Sequence, residues 1–132
     1  MTVATLRTLD NYNTVAAFLG SRATKNVAGN TAAHRLDEET VAIRYHNTFI
    51  AKFYADPVAS TVGDEIHPIV AEYTTGGWES STTMTRLNHV IPMPHRVGIR
   101  QGDAKLLDSN LKKGQDFQTI VLTATGEMLV KN

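Results

Sequence analysis

The chain has 132 residues, 42% of them hydrophobic and 20% charged, which suits one domain with its own core and is too short for two. Thirteen basic residues balance thirteen acidic ones, and that neutrality argues against binding long duplex DNA by bulk electrostatics. With no cysteine, disulfides and thiolate metal sites are excluded, and no apolar run approaches the roughly 20 residues that span a bilayer or forms a signal-like core at the N-terminus.

Residues 10 to 20 read as a short helix, with Asp10, Asn11 or Asn13 as cap and Gly20 as stop; Val15, Phe18 and Leu19 share one face. The polar, glycine-containing stretch Ser21 to Asn30 reads as a connection. From Val41 onward the odd positions are Val41, Ile43, Tyr45, Asn47, Phe49, Ala51 and Phe53, while the even ones are mostly polar. Period-two alternation predicts one long strand from Thr40 to Tyr54, bent or bulged near Asn47. A tight hairpin at Asn47-Thr48 is the alternative, and it scrambles the faces. With Glu38-Glu39 as a two-residue turn, Leu36, His34 and Ala32 pair with Val41, Ile43 and Tyr45 on the core face. Arg35, Arg44, His46, Thr48 and Lys52 are then left on the outer face, with Tyr54 at its end.

Asp56 to Glu65, punctuated by Pro57 and Gly63, reads as a loop, and His67 to Thr75 as a returning strand. Gly76-Gly77-Trp78 breaks the pattern. Ser80 to Thr83 supplies cap hydroxyls for a helix in which Met84, Leu87, Val90 and Ile91 recur at helical spacing until Pro92. Strands are predicted at Arg96 to Arg100 and Ala104 to Leu107, and a hairpin from Phe117 to Val130 turns at Thr125-Gly126. The predicted fold class is α+β: a single mostly-β domain over residues 1–132, a twisted antiparallel sheet of about six or seven strands with two short helices on its apolar face.

No constellation for catalysis, cofactor binding or metal binding emerges. There is no phosphate-binding glycine loop, dinucleotide fingerprint, His-Glu-x-x-His or nucleophile elbow, and the five histidines lack ligand spacing. The residues that packing does not require are Arg35, Arg44, His46 and Lys52 on the outer face; arginine's planar fork suits phosphate. Asn47 interrupts an apolar series, where a polar side chain must find hydrogen bonds or stay wet. Trp78, the only tryptophan, is a candidate stacking platform, and Thr82, Thr83, Arg86 and Asn88 surround a helix N-terminus able to hold an anion.

The runs Asn30-Thr31, His34-Arg35-Leu36, Ile43-Arg44-Tyr45-His46-Asn47-Thr48-x-Ile50 and Gly76-Gly77-Trp78-x-Ser80-x-Thr82-Thr83-x-x-Arg86-Leu87-Asn88 resemble a family of small phage-encoded proteins across roughly residues 25 to 100. The resemblance implies a viral setting, and with it the host cytoplasm, but no mechanism. Two function classes follow. One is a phage accessory protein binding a nucleotide or single-stranded nucleic acid through the local basic face (Arg35, Arg44, His46, Lys52 and Arg86), with Trp78 or Tyr54 stacking and Asn47 and Thr48 as further candidate contacts. The other is a protein-interaction or virion-associated module whose strand edges pair with a host or viral protein.

Overall fold

A computed structural model describes residues 6–108 and 111–131. Helix α1 (Tyr12–Leu19) begins where the Asn11 side chain accepts the Thr14 N–H and ends at Gly20, whose φ of 60° suits glycine. It buries Val15 and Leu19. A long antiparallel meander follows: β1 (Thr24–Ala28), β2 (Thr31–Asp37), β3 (Thr40–Tyr45), β4 (Thr48–Val62) and β5 (Glu65–Thr74). Helix α2 (Ser81–Val90) starts at the Ser80 cap, which accepts the Thr83 N–H, and buries Met84, Leu87 and Val90. Then come β6 (Arg96–Arg100), β7 (Asp103–Asp108), β8 (Leu111–Asp116), β9 (Thr119–Thr123) and β10 (Met128–Val130).

The expected mostly-β fold is present, with the two expected helices as α1 and α2. Seven strands form one antiparallel sheet in the order β1-β2-β3-β4-β5-β9-β10, and β6, β7 and β8 form a second, three-stranded sheet. Both helices contribute to one core. Leu9, Val15 and Leu19 on the α1 side, and Met84, Leu87 and Val90 of α2, pack with Ile43, Phe53, Tyr73 and Ile120 of the large sheet and with Val97 and Leu106 of the small one.

Four local expectations are corrected. The single strand from Thr40 to Tyr54 is instead a tight hairpin, β3–β4, turning at His46-Asn47, with Tyr45 opposite Thr48. The faces are not scrambled because a bulge places Arg44 opposite Phe49 and Ile43 opposite Ala51, so that Ile50 is the extra residue. Ile50 and Ala51 are therefore both buried, and Phe49 lies half-buried on the opposite face. The β2–β3 pairing is also shifted by one residue from the expected register. Ala33 faces Ile43 and Arg35 faces Val41, while His34 and the exposed Leu36 belong to the other face. An irregularity between Arg35 and Asp37, with the Asp37 carboxylate accepting the Glu39 N–H, produces this shift.

The third correction concerns Asp56 to Glu65, expected as a loop. Strand β4 runs through Pro57 to Val62 and turns at Gly63-Asp64, where Gly63 has φ 61°. The pairing with β5 shifts between Phe53 and Val58, and that irregularity accommodates a proline without an N–H. The stretch Ser21 to Asn30, also expected as a connection, contains edge strand β1, in which only Val27 is buried. With one apolar anchor in five residues, it offers no alternation to read.

These registers make a stability prediction. Phe53→Ala, at a fully buried position packed edge-on against Tyr73, should cost about 3–5 kcal/mol. Leu36→Ala should cost under about 1 kcal/mol, because that side chain is 41% exposed. Urea denaturation midpoints in the reverse order would contradict the observed β2–β3 register.

Candidate functional site

The His46-Asn47 turn carries a backbone conformation that side chains rarely adopt. His46 has φ 54°, a left-handed value with a steric cost for any residue with a Cβ. Three contacts hold it: the His46 N–H donates to the Asn30 carbonyl at 2.8 Å, the Arg44 guanidinium donates to the His46 carbonyl, and the His46 ring lies 4.4 Å from that of Tyr45. Tyr45 also carries the Arg86 guanidinium 5.5 Å from its ring centre, a cation–π contact that ties α2 to the hairpin end.

Opposite this turn, the segment after β5 is fastened by its own hydroxyls. The Gly76 N–H donates to Thr74 Oγ1, the Gly77 N–H to Thr75 Oγ1, and the Trp78 N–H to the Thr75 carbonyl. Gly76 has φ 62°, and a Cβ there would fall 2.5 Å from Thr48 Cγ2. Only glycine lets this segment pass so close to the start of β4.

Between turn, segment and α2 lies a cleft of about 490 Å³. His46, Asn47, Thr48, Trp78, Thr82 and Thr83 all line it, so six of the residues singled out in the sequence converge on one cavity. Tyr45, Ile50, Thr75 and Ser80 complete the wall and were not among them. Trp78 is 70% exposed at this cleft although it is the largest apolar side chain in the protein. No side chain in the lining carries a fixed charge. At the α2 end the first helical N–H groups have no acceptor within the helix, and Ser80 Oγ takes only that of Thr83.

The other candidates lie elsewhere. Arg35 points to the α1 side, where it donates to the Gly20 carbonyl at 3.1 Å. Arg44 is on the opposite face of the sheet, with His34, so the two arginines do not form one basic surface. Lys52 borders a separate hollow with Phe49 and Glu72, and Glu72 is ion-paired to Lys131 at 3.1 Å. Asn88 is consumed structurally: its amide exchanges two 2.8 Å hydrogen bonds with the Val97 backbone and so fastens β6 to α2. Tyr54 pairs with Thr40 at the far end of the hairpin, about 17 Å along the strand from the turn. Among the described residues no cluster of His, Asp and Glu is arranged to hold a metal ion.

Behind the turn, Arg44 Nε donates to His34 Nε2 at 2.9 Å, which requires that nitrogen to be unprotonated; His34 Nδ1 faces Thr24 Oγ1 at 3.3 Å. Burial lowers the His34 pKa, and the Arg44 charge lowers it further.

Fold and cleft together define a small antiparallel α+β protein with one aromatic, uncharged cleft where a hairpin turn meets a helix N-terminus. The chain belongs to the family described as Kyanoviridae Gp96 protein, whose model matches residues 10–124, and is thus a phage-encoded protein, as the sequence resemblance implied. No curated protein and no solved structure matches it. Among the described residues, no helix is long and apolar enough to cross a membrane.

The His34–Arg44 contact predicts a pH response. A histidine with a depressed folded pKa contributes stability that is complete above its unfolded value near 6.5 and is lost as pH falls below it. In histidine-detected NMR, His34 should titrate below 6.5, and Arg44→Ala should move its midpoint upward. An unchanged midpoint in the variant would show that Arg44 does not act on the ring.

Proposed function

We propose that this protein is a phage accessory protein, acting in the host cytoplasm, that binds a nucleotide or an unpaired nucleotide of a single strand in the cleft between the His46-Asn47 turn and α2. The observation that carries this reading is the exposed Trp78 beside a cavity whose lining, apart from the aliphatic Ile50, is hydroxyl, amide, imidazole and phenol. Such a wall suits a flat heterocycle with donors and acceptors on its rim, since every base presents a π-face for stacking. The open N–H groups at the start of α2 supply a place for a phosphate oxygen, and Arg86, held on Tyr45, brings a positive charge behind that wall.

This reading replaces a broad basic face with a compact site. Neutral lining and zero net charge both favour one nucleotide unit over a long polyanion. The competing reading, a protein-interaction module, draws on the outward edges of β1 and β10 and on the exposed Ile66 and Met93.

Because Trp78 is the only tryptophan, its fluorescence reports on the cleft alone. Titration with nucleoside mono-, di- and triphosphates and short single-stranded oligonucleotides should give saturable quenching with Kd below about 100 μM for at least one of them. Trp78→Ala, followed calorimetrically, should weaken that binding about 5- to 150-fold, the loss expected for one stacked base. Absence of any quenching up to millimolar ligand would move the protein-interaction reading to first place.

A further inference from the structure

A second hollow of about 510 Å³ lies further along α2, toward its C-terminal half, and shares no lining residue with the aromatic cleft. Arg7, from the segment before α1, and Arg96, from β6, face it together with Thr85, His89 and Asp10. Neither guanidinium has a carboxylate partner among the described residues. Arg96 is set in place from behind: Nη1 donates to the carbonyls of Ile91 and His95 at 3.2 and 2.6 Å, which leaves Nε and Nη2 without a described acceptor. The Asn88 bonds to the Val97 backbone fix the strand that carries it.

The lining is therefore positive by one charge, two arginines against Asp10, with His89 neutral. Two guanidiniums line this concavity, one of them held by backbone carbonyls, and the planar fork of each offers donors that suit an oxyanion. His89 lies in the field of one of these two arginines, Arg7. Its pKa is lowered by burial first and then by Arg7 and Arg86, and its Nδ1 is buried without a hydrogen-bond partner among the described residues.

We propose that this hollow is a binding site for a small molecule bearing one oxyanion group, a carboxylate or a phosphate, gripped between Arg7 and Arg96. Thr85, whose hydroxyl proton is given to the Ser81 carbonyl, offers the ligand only an acceptor, and Asp10 opposes any second negative charge. The site thus favours a monoanion over a polyanion, and a donor on the ligand would add a bond to Thr85. It stands independently of the nucleotide cleft, since a different set of residues builds it.

The test is histidine-detected NMR of the intact protein, titrated with acetate or with inorganic phosphate against sodium chloride at matched ionic strength. A bound anion offsets the arginine field, so the His89 resonances should move saturably and its pKa should rise, with half-saturation below about 10 mM for at least one of the two anions. Arg7→Ala, at an exposed position, should fold normally and weaken that response at least about fivefold. Arg96→Lys, which keeps the charge but loses the fork, should also weaken it, whereas Trp78→Ala should leave it unchanged. The relative response to acetate and phosphate tells which oxyanion is preferred. A His89 signal that follows chloride as closely as either anion, or an Arg7→Ala protein that responds like the wild type, would overturn the proposal.

Discussion

Arg44 reaches along its own strand to the carbonyl of His46, and that contact, with the bond from the His46 N–H to Asn30, holds a two-residue turn at a φ of 54°. The cost of that conformation, of order 1–3 kcal/mol, is offset by the packed sheet behind it. Everything at the cleft depends on the turn. It puts Tyr45 and Thr48 side by side and exposes His46 and Asn47. It also makes room for Gly76 to pass against Thr48, and the Gly76 segment in turn presents Trp78. A continuous strand through residue 54 would carry Thr48 far from Tyr45 and leave no cleft.

The charges are placed with the same economy. Arg44 is engaged by His34 and the turn, Arg35 by the end of α1, and Arg86 by the Tyr45 ring. Each guanidinium thus braces a junction of the fold. The cleft itself is left without a fixed charge, and affinity there must come from stacking and directed hydrogen bonds. On the proposed reading, a nucleotide would be read there ring first. Two further arginines, Arg7 and Arg96, line the separate hollow toward the C-terminal half of α2.

Local signals in the sequence located both helices, because capping by Asn11 and Ser80 and termination at Gly20 are written in adjacent residues. The registers were less legible. The hairpin at His46-Asn47 violates simple alternation unless one residue is bulged, and the bulge at Ile50 is settled by packing across the sheet. The one-residue shift of β2 has the same origin, an irregularity before Asp37 that reassigns Arg35 and His34 between faces. The residue types at the cleft were visible as an unusual concentration of exposed polar and aromatic side chains. Their convergence was not, since Thr48 and Trp78 are brought together only by the meander. Tyr45 and Ile50, read as ordinary strand positions, prove to line the cleft.

The central claim is that the hairpin turn and the Trp78 segment form one recognition surface. Backbone amide NMR during titration with a nucleoside monophosphate tests it directly. The account predicts saturable shifts clustered at residues 45–48 and 75–83, with the Arg35–Gly20 region and the Lys52 hollow unmoved. Shifts concentrated on Arg35, Arg44 and Lys52, with those of the His46-Asn47 turn and the Trp78 segment unchanged, would contradict it.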